Sequence, residues 1–218
     1  MSRGIIIQAF NNIEIDYYGI ALHNAMMIHH NMSETKVTVV TNQNTYDYAY
    51  EYHGPEYSDK FFDNIIIKED DYTITNKNIR KYRDTRSLTK ALPFKNYDRY
   101  SLYELSPYDE TLMIDADYLI MNDILDNVWG SPHNIMINKD YTDVIGDREF
   151  DSLTRIDDFG IDLYWATVVY FKKSKEAKAL FDIVCHVHDN YDYYKLLYNI
   201  PGKLFRNDFA FSIAIHML

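Results

Sequence analysis

Hydrophobic residues in the first part of this chain form short continuous runs, and between the first two runs they recur at helical spacing. The segments Gly4 to Phe10, Lys36 to Thr41 and Asp63 to Lys68 read as three strands, and a helix is predicted from Asp16 to about His30. The buried face of that helix is expected to carry the residues that recur at helical spacing, namely Tyr17, Ala21, Ala25 and Ile28. This β-α-β order predicts an α/β fold with a mainly parallel sheet, flanked by helices, in which ligands bind at the carboxyl ends of the strands.

The most hydrophobic stretch of the chain contains two carboxylates. Thr111 to Asp123 is an apolar run interrupted where Asp115 and Asp117 flank Ala116, and it reads as a strand buried on both faces. An ionised carboxylate inside such a strand is costly unless a cation or hydrogen-bond donors compensate it. Side chains at i and i+2 of a strand point the same way, so both aspartates can converge on one cation while Ala116 leaves space for a ligand. Oxygen-only ligation suits Mg²⁺ or Mn²⁺.

Two further segments carry candidate chemistry. A helix is predicted between Asn76 and Leu92, where a positive stripe could compensate a diphosphate; it comprises Arg83, Arg86 and Lys90. The alternative for this stripe is a solvated face that pairs with nearby acids. Asp162 to Phe171 reads as a strand that enters the sheet, and Ser174 is expected to cap the helix that follows.

Composition narrows the classes of protein that fit. The chain of 218 residues is expected to form one domain over residues 1–218, with 47% hydrophobic content. A net charge of −11 argues against a broad nucleic-acid surface. The single cysteine, Cys185, excludes an internal disulfide framework and fits a reducing compartment. No stretch reads as a targeting signal or a membrane span, so a cytoplasmic location is expected.

The segment from Tyr108 to Leu125 resembles the metal-binding core of GT-A glycosyltransferases, particularly the glycogenin and galactosyltransferase-like group (glycosyltransferase family 8-like). In that group a "Tyr-Asp-Lys-Val-Leu-Tyr-Leu-Asp-Ala-Asp" strand is followed by a short "Asp-Ile" loop. The resemblance implies a GT-A fold and the metal-dependent transfer of a sugar from a nucleoside-diphosphate sugar, most often UDP-linked. It favours retention of configuration, and it leaves the acceptor open.

The same resemblance implies roles for residues elsewhere in the chain. The residues implied to bind the nucleotide-sugar are Ala9, Phe10, Asn11, Tyr17, Arg86, Arg99, Asp115, Ala116, Trp165, Ala166 and Thr167. Mn²⁺ or Mg²⁺ would bind Asp115 and Asp117. Asn207 and Asp208 match the family's "Asp-Gln-Asp-x-Leu-Asn" helix start and are implied to lie near the anomeric carbon as catalytic residues. A plain helix N-cap would explain Asn207 or Asp208 equally well, and a core-facing position would explain Tyr17.

One departure from the family concerns the end of the chain. The group takes a histidine metal ligand from a C-terminal segment, whereas this chain ends at His216-Met-Leu218, in what reads as the middle of a helix. Either His216 substitutes for that ligand, which the direction of the helix disfavours, or the chain is a C-terminally truncated piece of a longer protein, which is the alternative we expect.

Two alternatives to a glycosyltransferase remain. In a haloacid-dehalogenase-like phosphatase, Asp115 would be the nucleophile and Asp117 the acid, with Gly146 to Asp151 as a later motif; the spacing between these motifs is too short for the usual intervening sites. The other alternative is a sugar-nucleotide-binding module without catalysis. A nucleotidyltransferase would need a glycine-rich loop after the first strand, and Gln8-Ala-Phe-Asn-Asn is not one.

Overall fold

The computed structural model of the protein describes residues 1–69, 79–83, 89–93, 95–96, 98–139, 155–156, 160–200 and 204–218. The strands within these ranges are β1 (Arg3–Gln8), β2 (Lys36–Thr41), β3 (Asn64–Ile67), β4 (Ile79–Arg83), β5 (Thr89–Pro93), β6 (Glu110–Asp115), β7 (Ile135–Asn138), β8 (Arg155–Ile156), β9 (Ile161–Asp162) and β10 (Trp165–Lys172). The α-helices are α1 (Tyr17–Asn31), α2 (Gln43–His53), α3 (Pro55–Phe61), α4 (Leu102–Leu105), α5 (Lys175–Asp189), α6 (Tyr191–Leu197) and α7 (Asn207–Met217). Two 3₁₀ helices span Arg99–Ser101 and Ile124–Val128.

Six of the described strands form one mixed sheet in the order β3-β2-β1-β6-β10-β7. Strands β3, β2, β1 and β6 run parallel, whereas β10 runs antiparallel to both β6 and β7. The first residues of β10 therefore lie beside the last residues of β6. The predicted α/β fold with a mixed, mainly parallel sheet flanked by helices is confirmed.

The central strands are apolar without alternation because both faces of the sheet are covered. On one face, Ile6, Met113 and Phe171 pack with the buried sides of α5 and α7. On the other face, neighbouring positions such as Ile7 and Ile114 pack with the buried side of α1. The two cores hold the strands rigidly, so the polar residues at the strand ends start from fixed backbone positions.

Several predicted elements are confirmed with small changes at their ends. Helix α1 buries Ala21, Ala25 and Ile28 as expected, although Tyr18 is fully buried where Tyr17 is only half-buried. The Ser174 hydroxyl accepts a 3.1 Å hydrogen bond from the Ala177 N–H and caps α5 as predicted.

Two predictions of secondary structure were wrong. Within the predicted helix from Asn76 to Leu92, the described residues form the antiparallel strands β4 and β5, so Arg83 and Lys90 do not lie on one helix face. In the strand register Arg83 pairs with Thr89, and Lys90 pairs with Tyr82. Residues pairing across strands override a local helical spacing. The predicted strand from Thr111 to Asp123 ends at Asp115, and a turn follows in which the Tyr118 N–H donates to the Asp115 carbonyl at 3.1 Å.

Candidate functional site at the carboxyl edge of the sheet

The centre of the site is Asp115, the last residue of β6. Its Oδ1 accepts a 2.8 Å hydrogen bond from Nη1 of Arg99, which begins the 3₁₀ helix before α4. The Arg99 side chain is 3% exposed and that of Asp115 is 27% exposed, so the pair lies in a partly dehydrated recess. A charged pair in such a place is stronger than a surface ion pair but costs desolvation, so it points to a role beyond stability.

The protonation of Asp115 is shifted by its surroundings. Burial raises the pKa of Asp115, and the carboxylates of Asp117 and Asp208 raise that pKa further. The Arg99 guanidinium and a hydrogen bond from the Thr167 hydroxyl oppose the rise but do not cancel it. Two other carboxylates therefore act on Asp115 at this edge, which favours a cationic or proton-bearing ligand.

The start of β10 supplies the next part of the site. Trp165 pairs with Asn138 of β7, but the next paired residue is Val169, with Ile137, so the register shifts between them. Bulges of this kind re-aim side chains and are common next to active sites. On the other side of β10, Val168 pairs with Ile114, which places Thr167 beside Asp115.

The N-terminus of α7 packs against this bulge. Asp208 Oδ1 accepts a 3.0 Å hydrogen bond from the Ala166 N–H, and Asp208 Oδ2 accepts a 2.7 Å bond from Nη2 of Arg206. Asn207 Nδ2 donates to the Asn96 carbonyl at 2.6 Å. Neither side chain caps its own helix, since Arg206 occupies the N-cap position and no side-chain cap bond forms there. The plain N-cap explanation of Asn207 and Asp208 is therefore wrong.

Several buried polar atoms around Asp115 lack partners among the hydrogen bonds that the structure contains. They are Gln8 Oε1, Asn96 Oδ1, Asn207 Oδ1, and both Nε and Nη2 of Arg99. Hydrogen bonds fix which way the amides of Gln8 and Asn207 point. Gln8 Nε2 donates to an Asp98 carboxylate oxygen, and Asn207 Nδ2 donates to the Asn96 carbonyl. An unpartnered buried polar group costs about 1–3 kcal/mol. A cluster of them indicates that this edge is built to bind a polar ligand.

The carboxylates predicted to hold a metal lie at the mouth of this recess. Asp117 is exposed in the turn after β6, and Ala116 between it and Asp115 is 6% exposed. The i, i+2 strand argument for these aspartates is wrong, because β6 ends at Asp115. Among the described residues, no three His, Cys, Asp or Glu side chains converge to hold an ion. The oxygen-only donor set and the mutual repulsion of the carboxylates still fit a hard divalent cation that keeps positions for a ligand.

The residues predicted to hold a nucleotide base lie after β1. Ala9 and Phe10 are 1% and 6% exposed, and Phe10 packs in the core under α5 and α7. Asn11 Nδ2 donates to Asp16 Oδ1 at 2.7 Å, and Asn11 Oδ1 accepts from the Tyr18 N–H at 2.8 Å, so this side chain organises the start of α1. Tyr17 is half-buried against the α1 core. The structure thus places these residues at the same edge of the sheet as Asp115, engaged in structural contacts.

Sequence reasoning missed three residues of the site, and one predicted residue falls outside the described ranges. Gln8, Asn96 and Asp98 were not proposed, although Gln8 is a polar residue that closes the apolar run of β1, which was a usable signal. Asn96 and Asp98 come just before Arg99 in the chain, and neither occupies a defined position of a motif. Arg86, like the Gly146 to Asp151 motif, lies outside the described residues.

No helix in the described part of the chain combines the length and apolar character needed to cross a membrane.

No protein-family model and no curated protein matches this chain. Among solved structures, several glycosyltransferases are similar to this chain at low identity. The galactosyltransferase LgtC, solved with donor and acceptor sugar analogues, is 15% identical with a TM-score of 0.49, over 92% of this chain and 72% of LgtC. GlyE of Streptococcus pneumoniae TIGR4 is 11% identical with a TM-score of 0.45, over 94% of this chain and 44% of GlyE. The PaToxG glycosyltransferase is 13% identical with a TM-score of 0.46, over 100% of this chain and 68% of PaToxG. At these values the assignment of function rests on the residues of the site.

Proposed function

We propose that this protein is a glycosyltransferase that moves a sugar from a nucleoside-diphosphate sugar, with UDP as the nucleotide, to an acceptor. The observation that carries the proposal is the cluster of unpartnered buried polar atoms around the Asp115–Arg99 pair. Sugars and diphosphates are rich in oxygens that accept from a guanidinium, and sugar hydroxyls also donate to amide oxygens. Because these atoms are buried, one ligand of this class can satisfy both kinds only where the cover over them opens.

Each group at the edge has a role in this reaction. The bond between the anomeric carbon and the diphosphate oxygen breaks, the acceptor hydroxyl oxygen bonds to that carbon on the same face, and its proton passes to the departing nucleoside diphosphate. Arg99 presents its Nε and Nη2 edge to the oxygens of the donor, since Nη1 is engaged with Asp115. Asp208, held by the Ala166 N–H and by Arg206, places negative charge where the sugar gains positive charge. Asn207 Oδ1 accepts a hydrogen bond from a sugar hydroxyl.

A divalent cation belongs to the proposal. Asp115 and Asp117 would hold Mn²⁺ or Mg²⁺, which when bound would neutralise charge on the departing diphosphate. The Arg99 contact is to Oδ1 of Asp115, so Oδ2 lies outside that ion pair. Asp117 is exposed and so accessible to an ion that arrives with a nucleotide. Retention of configuration is part of the proposal through the family resemblance.

The test is calorimetric titration of UDP and UDP-glucose, with and without Mn²⁺, into the wild type, Asp117→Ala and Asp123→Ala. Asp123 is an exposed carboxylate farther along the same loop, so its variant is a control matched in charge. We expect Mn²⁺-dependent binding in the wild type and in Asp123→Ala, and its loss in Asp117→Ala. Donor hydrolysis by the wild type then separates a transferase from a module that only binds. Absence of binding for UDP-, GDP- and ADP-linked hexoses would refute the proposal.

A further inference from the structure

Two consecutive residues, Asp98 and Arg99, pair with the last residues of two neighbouring strands. Gln8 Nε2 donates to Asp98 Oδ1 at 2.7 Å, and Arg99 Nη1 donates to Asp115 Oδ1 at 2.8 Å. Gln8 and Asp115 are register partners at the ends of β1 and β6, so their side chains leave the sheet side by side. Asp98 and Arg99 therefore lie side by side across the carboxyl ends of β1 and β6, and each contacts one strand.

A third strand is joined to the same carboxylate. Lys68, one residue beyond β3, forms an ion pair with Asp98 Oδ2 and donates to the Ser101 hydroxyl at 3.1 Å. The Lys68 backbone N–H donates to the Thr41 carbonyl at 2.7 Å, which fixes Lys68 to the end of β2. The side chains of Lys68 and Asp98 are 26% and 16% exposed, so their pairing is less screened than one on the surface.

We propose that Asp98 is a positioning residue, which anchors the start of the 3₁₀ helix to the ends of β1 and β3 and thereby fixes the guanidinium of Arg99. Two anchored contacts on one carboxylate stop the backbone before Arg99 from rotating. Arg99 then keeps Nη1 on Asp115 while Nε and Nη2, which form one edge of the guanidinium, stay unpartnered and buried. What that edge contacts rests on the proposed function, whereas its fixed position does not.

The first experiment needs no ligand. In ¹⁵N-resolved spectra, the Nε–H signal of Arg99 is identified by its loss in Arg99→Lys, and its exchange with solvent is measured. We expect exchange in Asp98→Asn to be faster by about tenfold or more, because the segment opens locally. Asp182→Asn is the matched control, since it breaks a Lys–Asp pair on the surface of α5. If Asp98→Asn does not fold, Lys68→Met removes one arm of the anchor and should act in the same direction. Unchanged exchange in a folded variant would overturn the proposal.

The second experiment asks whether Asp98 acts through Arg99 by a double-mutant cycle on donor binding. We expect Asp98→Asn to weaken UDP-glucose binding by about tenfold in the wild-type background and by less than about twofold in an Arg99→Leu background. Equal losses in both backgrounds would mean that Asp98 acts independently, against the proposal. If the wild type binds neither UDP nor any nucleotide-hexose, the proposed function fails, and the exchange measurement alone decides the role of Asp98.

Discussion

Strand β6 carries an acidic residue at each end, and the surroundings of the two carboxylates differ. At the amino end, Glu110 is 5% exposed, and its Oε2 accepts 2.9 Å hydrogen bonds from the Gly130 N–H and the Tyr170 hydroxyl. At the carboxyl end, Asp115 lies among unpartnered polar atoms and other carboxylates. Neutral, fixed donors make Glu110 a structural acceptor, whereas the unsatisfied surroundings of Asp115 are a cost to the fold that a ligand can offset.

The comparison predicts its largest effect for Asp115→Asn, which keeps the shape and removes the charge. We expect donor hydrolysis to fall by about 100-fold or more, since this carboxylate orients Arg99 and would share the cation. The free energy of unfolding should change by less than about 1 kcal/mol, because the lost ion pair is offset by relief from neighbouring carboxylates. Steady-state kinetics and urea unfolding check both parts, with Asp123→Asn as control. Undiminished hydrolysis would break the contrast between the two ends.

At the opposite end we expect Glu110→Ala to act on the fold. The variant leaves the Gly130 N–H and the Tyr170 hydroxyl without their acceptor in a buried place, which should lower the free energy of unfolding by about 3 kcal/mol. Donor affinity of the folded protein should stay within about twofold of the wild type, since the two ends are separated by the length of β6. Urea unfolding and calorimetry measure the two quantities. A large loss of affinity in fully folded protein would show that the ends are coupled.

A smaller effect on donor binding is expected from substitution of Arg206, a more exposed residue that bonds Asp208. Arg206 is 37% exposed, bonds Asp208 at 2.7 Å and lies 5.7 Å from the centre of the Trp165 ring. Arg206→Ala should weaken donor binding by about fivefold, because Asp208 loses one of the two hydrogen bonds that fix its carboxylate. The free energy of unfolding should change by at most about 1 kcal/mol. Arg206→Lys, which keeps the charge but not the planar fork, serves as the comparison. If Arg206→Ala binds the donor with wild-type affinity, the Arg206–Asp208 pair does not contribute to donor binding.

The contrast between the two ends also marks what could be predicted from sequence. The apolar runs of β1, β2 and β6 predicted the parallel sheet and its carboxyl edge, because fully covered strands need continuous hydrophobic side chains. Asp115 and Asp117 were visible because carboxylates inside an apolar run are conspicuous. These signals are local in the chain.

What was missed depends on contacts between distant segments. The pairing of Gln8 with Asp98 joins residues 90 positions apart, and no spacing rule reports it. The placement of Thr167 beside Asp115 arises from the pairing of β10 with β6, which joins segments far apart in the chain. The helix predicted from Asn76 to Leu92 failed for the same reason: a spacing that suits a helix was overridden where the described residues pair as β4 and β5. Local patterns thus predict elements, while the assembled edge decides the site.

The smallest expected effect is a difference in pH dependence, measured in EDTA on wild type and Asp115→Asn. Burial raises the pKa of Asp115 in the folded protein, so the folded state holds its proton more tightly than the unfolded state. The contribution of this group to stability is then fully present below the ordinary pKa of an aspartate and is lost as pH rises through the folded pKa. The free energy of unfolding of the wild type, minus that of Asp115→Asn, should therefore fall as pH increases across this window. A difference that rises with pH would mean that the Arg99 pairing outweighs burial, which would make Asp115 a structural acceptor like Glu110.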